Sequence, residues 1–371
     1  MDTGLFGALI GISWKQIIMM LVGATLIYLA IKKNYEPTLL LPMGFGAILA
    51  NIPFSSAIGE HGIMTFLYNV GISNEAFPLM IFIAIGAMID FSPLLKNPIL
   101  LLFGAAAQFG IFFTVMAATL LGFDLKEAAS IGIIGAADGP TSIYVANKFA
   151  PGLLGPISVA AYSYMALVPI IQPPIIRLLT SRKERLIRME IKPKSVSKTA
   201  LIVFPVVVTI FAGFIAPASA SLIGFLMFGN LIRECGVLNK LSLAAQNELA
   251  SLITLVLGIS IATTMTAEKF LTERTLFIIG LGLVAFIFDT AGGVMFAKAL
   301  NVFRKKKINP MIGAAGISAF PMSARVIHKM GLKEDSSNFL LMYATSANVG
   351  GQIASVIAGG LILSLVPYFC K

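Results

Sequence analysis

The sequence predicts an all-α polytopic membrane protein, and three observations carry that reading. Of the 371 residues, 57% are hydrophobic and only 12% are charged, whereas soluble domains carry about a quarter charged residues. The mean hydropathy is +0.91, which means more apolar surface than a water-soluble fold can hide. The basic residues behind the net charge of +10 gather in short loops between apolar stretches. That is the pattern of membrane topology determinants and not of a nucleic-acid surface.

The elements follow in chain order. Apolar stretches near 16–31, 37–53, 76–95, 98–121, 152–180, 199–216, 218–234, 246–266, 275–300 and 338–367 give about ten expected spans, since roughly 20 apolar residues cross a bilayer as helix. Residues 61–72 read as an interfacial helix. The first Lys is Lys15, and no basic segment precedes an early apolar core, so a cleaved signal peptide is not expected. Cys235 and Cys370 are far apart, and His61 and His328 are isolated. Neither pair suggests a disulfide framework or a metal cluster. No long polar linker interrupts the chain, so 1–371 is expected to form a single membrane domain.

Orientation comes from the basic loops. Lys32 and Lys33, Lys96, the run Ser181–Lys198, Lys240 and Arg304–Lys307 mark the cytoplasmic side, because such loops collect Lys and Arg. The N-terminus and C-terminus are then both outside. For the later loops to alternate, 126–149 must enter and leave on the outer side, and 308–333 on the inner side. Both are read as re-entrant hairpins, tolerated at that depth only where protein or a wet cavity surrounds the backbone. Segments 76–180 and 246–367 share the order span, span, broken hairpin, span, and GAA at Gly135–Ala137 recurs at Gly313–Ala315. They are read as two inverted repeats, with 1–75 and 181–245 as scaffold and connecting segments. Such repeats with broken helices meeting near the midplane build many ion-coupled transporters.

The chemistry concentrates at the breaks. Asp138 precedes Gly139 and Pro140 in IIGAADGPTSIYVANKF. Pro140 frees a carbonyl of the preceding turn. Together with the Asp138 carboxylate and the hydroxyls of Thr141 and Ser142, this makes an oxygen-rich nest of the kind hard cations prefer. The plain alternative is that Asp138 merely caps the restarting half-helix. Arg325 follows the second break in MIGAAGISAFPMSARVIHKM. A guanidinium stays charged and grips carboxylates with two prongs, but a residue snorkelling to the headgroups would look the same. Tyr164 lies within a span, where its hydroxyl can pass a proton or simply pack. Asn309, Asn348 and Gln352 are uncharged amides in the second repeat, and Asn348 and Gln352 share a helical face at i, i+4. They can ligate a cation or join helices by hydrogen bonds. Asp90 reads as a helix-end residue, and Asp289 in FDTAGG lies deeper. No phosphate loop, HExxH or nucleophile elbow occurs.

GAADGPTSIYVANKFAP, AAYSYMALVPIIQPPI, INPMIGAAGISAFPMSARV, FDTAGGVMFAK and GNLIREC together resemble the beta subunits of the sodium-pumping biotin-dependent decarboxylases, from about residue 36 onward. The resemblance implies a bacterial inner-membrane enzyme that decarboxylates carboxybiotin, drives sodium outward and consumes a proton. The cofactors implied are the sodium ion and biotin on a carrier. The partners implied are a carboxyltransferase alpha subunit, the biotin carrier protein, a small membrane-anchoring subunit and two further copies of this chain in a trimer. Membrane lipid surrounds the assembly, and no nucleic acid is involved.

The family's functional residues fall on Asp138, Tyr164, Asn309, Gly313, Ser318 and Arg325. Sodium is expected near Asp138, with Thr141, Ser318, Asn348 or Gln352 completing its shell. Carboxybiotin is expected at Arg325, with Ser318, Asn309 and Gly313 nearby, and the proton is expected from Tyr164 or Asp138. The chain length favours the glutaconyl-CoA or methylmalonyl-CoA members over oxaloacetate. A non-catalytic sodium-coupled transporter of a small anion is the alternative.

Overall fold

The computed structural model describes residues 11–189 and 196–370, which are helical with no strand among them. Part of the basic run Ser181–Lys198, residues 190–195, lies outside the described residues, as does the N-terminal end, residues 1–10. Seven helical segments are long and apolar enough to cross a membrane: Trp14–Lys33, Pro98–Leu120, Pro151–Leu179, Lys198–Ile215, Asn239–Thr264, Glu273–Val302 and Leu341–Phe369. The pair Ile63–Ser73 and Ala76–Met88, bent by 61°, makes up to eight. The expected spans 37–53 and 218–234 are the shorter helices Pro37–Ala50 and Ala220–Glu234. Pro37 opens the first of these, and a turn at Pro217–Ser219 precedes the second. The segment expected at the interface, 61–72, is instead half of the bent pair.

Local sequence sets the helix ends. Ser13 and Gln16 form a reciprocal capping box on Trp14–Lys33, and Asp124 and Glu127 form another on Leu125–Gly132. Each satisfies backbone donors that a first turn leaves open. Asp90 accepts from the Ser92 backbone N–H at 2.8 Å, the helix-end role its position suggested.

Two broken arms cross inside the bundle. The first runs through helix Leu125–Gly132 and a tight turn at Ile133–Ala136, then reverses at Ala137 and restarts as Gly139–Phe149. Its beginning is held by an ion pair of Glu127 with Arg274 at 2.7 Å. Just past its end, Gly155 lies directly against Thr264. The last turn of the arm itself is held elsewhere, by Lys148 with Glu75 at 3.0 Å and by the Asn147 amide donating to the Ile72 and Ser73 carbonyls at 3.1 Å.

The second arm runs from Asn309 through Met311–Ala314, breaks over 315–321 and restarts as Met322–Glu334. The Asn309 amide donates to the carbonyls of Arg185 and Ile187 at 2.8 and 2.9 Å. At the other end Glu334 pairs with Arg185 at 2.6 Å, and Asp335 with Arg188 at 2.6 Å. One loop, 181–189, therefore grips both ends of the second arm. Where the arms cross, the Ser318 backbone N–H donates to the Ala136 carbonyl at 2.9 Å.

Candidate functional site

Ala137 adopts the left-handed conformation, φ 51° and ψ 42°, which costs an L-residue with a Cβ roughly 1 kcal/mol or more. The turn frees the chain to present Asp138 as the N-cap of Gly139–Phe149, so the capping alternative is realised. Capping does not exhaust the carboxylate. Asp138 is 2% exposed. Its Oδ2 accepts from the Thr141 hydroxyl at 2.7 Å and from the Ser355 hydroxyl at 2.9 Å, and the Thr141 backbone N–H lies 3.4 Å from Oδ1. No basic side chain pairs with Asp138 among the described residues. A charge this deep is retained only with a strong partner.

Helix Leu341–Phe369 supplies the rest. Asn348 donates from Nδ2 to the Ile317 carbonyl at 2.6 Å, and Gln352 donates from Nε2 to the Ser318 carbonyl. Ser318 in turn donates from Oγ to the Gly351 carbonyl at 2.8 Å. These bonds satisfy the unwound backbone of the second break, as an apolar interior requires. They leave Asn348 Oδ1 and Gln352 Oε1 buried without a partner. Unsatisfied buried acceptors are rare and costly, and Gln352 lines the space at the crossing together with Asp138. The donor set fits sodium, being composed of hard oxygens only, with no group of three or more His, Cys, Asp or Glu among the described residues.

A cavity of about 160 Å³ reaches this crossing and is lined by Asp138, Ser318, Gln352, Tyr162 and Phe320. Small-molecule sites run to roughly 300 Å³ and above, so the volume suits an ion with some water. The Tyr162 ring lies flat on Gly139: a Cβ there would meet the ring at 2.2 Å, so only glycine fits beneath it.

Of the five residues expected around sodium, Asp138, Ser318 and Gln352 line one cavity and Thr141 bonds Asp138, whereas Asn348 bonds the Ile317 carbonyl and does not line it. The others lie elsewhere. Tyr164 donates to the Ile279 carbonyl and faces Glu273–Val302. Residues two apart on a helix point nearly opposite ways, so Tyr162, and not Tyr164, faces Asp138. Asn309 ties the second arm to loop 181–189. Gly313 packs against Gly293, where a Cβ on either would lie about 2 Å from the other's carbonyl oxygen. Arg325 is exposed and forms no ion pair among the described residues, a state that suits a visiting carboxylate. Asp289, buried at 0% exposure, caps Phe109–Leu120 through the Gly110 and Ile111 N–H groups. Ser355 and Tyr162 were missed as site residues. Ser355 shares the helical face of Asn348 and Gln352, a periodicity readable in the sequence.

Crossed broken helices around a buried carboxylate, within a polytopic α-helical bundle, define a membrane protein of the ion-handling class. Residues 15–366 match the family described as the Na+-transporting oxaloacetate decarboxylase beta subunit. The chain is 51% identical over 357 residues to the glutaconyl-CoA decarboxylase subunit beta of Acidaminococcus fermentans, covering 96% of this chain and 95% of that one. It is 50% identical over 389 residues to the methylmalonyl-CoA decarboxylase subunit beta of Propionigenium modestum, covering 98% and 97%. It is 46% identical over 412 residues to the oxaloacetate decarboxylase beta chain 2 of Salmonella typhi, covering 95% of each. The chain belongs to this family and is a beta subunit of the sodium-translocating decarboxylases.

Proposed function

We propose that this chain decarboxylates carboxybiotin presented by a carrier subunit, and couples that step to outward sodium movement across the bacterial inner membrane. The observation that carries the reading is the buried Asp138 carboxylate on the wall of a cavity that Gln352, with its unpartnered Oε1, also lines. When bound, carboxybiotin supplies the carboxyl group lost as carbon dioxide. Arg325 holds that carboxylate at the cytoplasmic mouth of the second arm, with its fixed charge and planar fork. Asp138 binds sodium from the cytoplasm, assisted by Asn348, Gln352 and the hydroxyls of Ser318 and Thr141. Proton supply is assigned to the Asp138 carboxyl, with Tyr164 as a positioning residue against Ile279.

In this reading the two arms belong to inverted repeats over 76–180 and 246–367, both termini lie outside, and the chain works as a trimer. Its partners are the carboxyltransferase alpha subunit, the carrier and a small anchoring subunit. An acyl-CoA is favoured as the ultimate carboxyl source, because identity to the acyl-CoA subunits reaches 50–52% against 44–46% for the oxaloacetate chains. Family membership weighs against the non-catalytic transporter. The purified chain in proteoliposomes is expected to release carbon dioxide from free carboxybiotin in a sodium-dependent way. Solute uptake without any such release would overturn the reading.

A further inference from the structure

The cavity at the crossing has a second carboxylate on its wall that the reaction above does not use. Glu36 lies in the turn between Trp14–Lys33 and Pro37–Ala50, far from Asp138 in sequence, yet both line the same 160 Å³ space. Glu36 is half-buried and forms no ion pair among the described residues, although Lys32 and Lys33 are near in sequence and exposed. No Lys or Arg lines the cavity. Two acids with no base therefore set its potential, and a low-dielectric wall focuses such a field on the lumen.

A second, independent feature points to a cation in the same space. Gln352 Oε1 and Tyr162 Oη are both unpartnered. Their residues are only 2% and 4% exposed, and both line the cavity. Most of the remaining wall is apolar, from Leu39, Ile81, Ile85 and Met88, with Thr254 and Ser318 adding neutral hydroxyls, so the two carboxylates are the only charges that can hold an ion there. About five water molecules fill 160 Å³ at bulk density, enough to carry a partly hydrated ion between the two acids.

We infer that Glu36 is the entry carboxylate of a monovalent-cation vestibule, drawing sodium from the cytoplasmic side toward Asp138 and excluding anions. This rests on the sodium site proposed at Asp138 and adds its route of access. Lys32 and Lys33 put the Glu36 turn on the cytoplasmic side by the distribution of basic loops.

The test is the sodium dependence of decarboxylation by the intact complex in proteoliposomes. Glu36→Gln is expected to raise half-saturating sodium about tenfold, the size of losing one unscreened unit charge several ångströms from the ion. The change should fall on half-saturation far more than on the maximal rate. Added choline chloride should shrink the difference between Glu36→Gln and the parent, because salt screens an entry charge. Glu36→Asp keeps the charge and is expected to recover most of the affinity. It also serves where Glu36→Gln fails to assemble, with a shift of about threefold expected from its retracted carboxylate. Unchanged half-saturation in an assembled variant overturns the vestibule. Asp138→Asn, run alongside, separates the two ideas. If it abolishes the sodium response while Glu36→Gln matches the parent, only the entry role fails. If Asp138→Asn also keeps the parental response, the site itself is wrong.

Discussion

The two broken arms solve the same backbone problem with opposite means. The first breaks within two residues, at strained Ala137 and at Asp138, and satisfies its restart with the carboxylate and the Thr141 and Ser142 hydroxyls. The second breaks over seven residues, 315–321, with no charge of its own, and borrows side chains from Leu341–Phe369. The first arm therefore brings charge to the crossing, and the second brings a scaffold of carbonyls and amides. A short break concentrates field, and a long one can be repacked. The arms are also tied at their ends to different places. The ion pairs Glu127–Arg274 and Lys148–Glu75 and the Asn147 amide hold the first to two separate segments. Three ion pairs, two from Glu334 and one from Asp335, and the Asn309 and Asn338 amides bind the second to the single loop 181–189.

That contrast predicts a graded set of effects. The largest outside the carboxylate belongs to Gln352, which bonds the second break and leaves Oε1 in the cavity. Gln352→Leu is expected to raise half-saturating sodium by about tenfold or more, the loss of a buried ligand and its bond at 1–3 kcal/mol. Sodium titration of decarboxylation checks it, and an unchanged titration would mean that the amide only joins helices.

Next comes Gly313, whose backbone touches Gly293. Gly313→Ala must push the second arm away from Glu273–Val302, destabilising the protein by about 1–3 kcal/mol. Thermal unfolding in detergent would register this as a lowered midpoint, with half-saturating sodium little altered in the folded fraction. A smaller shift is expected of Ser355→Ala, which leaves Asp138 with one hydroxyl donor instead of two. About 1 kcal/mol, or roughly fivefold in half-saturating sodium, follows for a single net hydrogen bond.

The smallest effect is on pH. The Arg188 guanidinium, and then the Ser337 N–H, hold the Asp335 carboxyl below the usual carboxylate range. A depressed value in the folded state adds stability above the ordinary pKa, near 3.9, and loses it as pH falls through the lower folded value. Hydrogen-exchange protection in loop 181–189, taken relative to the intrinsic exchange rate at each pH, should therefore be flat between neutral and mildly acid pH. Protection should fall only below the carboxylate range, and Asp335→Asn should remove that fall.

How much of this was legible in the sequence depends on the range of the interaction. The break at Asp138 was legible because Gly139 and Pro140 act locally on the backbone, and Asn348 and Gln352 because helical periodicity places them on one face. Tyr164 was expected at the site from its place within a span and from the motif YSYMALVP, but two residues along a helix reverse the direction of the side chain, and it is Tyr162 that lines the cavity with Asp138. Glu36 was invisible because only the packing of three helices brings its turn to the crossing. Asn309 and Gly313 were expected near the substrate, but they act in the structure as an anchor and a close-packing point. The expected spans at 37–53 and 218–234 are shorter helices, since an apolar run fixes a hydrophobic stretch and not where Pro starts or ends the helix.

The central claim is that sodium crosses by way of Asp138 where the two arms meet. Decarboxylation-driven uptake of radioactive sodium into inverted proteoliposomes, with the parent complex and with Asp138→Asn, tests it most directly. Loss of the buried charge is expected to lower uptake by about a hundredfold, consistent with 2–5 kcal/mol for a desolvated charged partner, while assembly and carrier binding persist. Uptake by assembled Asp138→Asn at the parental rate and parental half-saturating sodium would contradict the account.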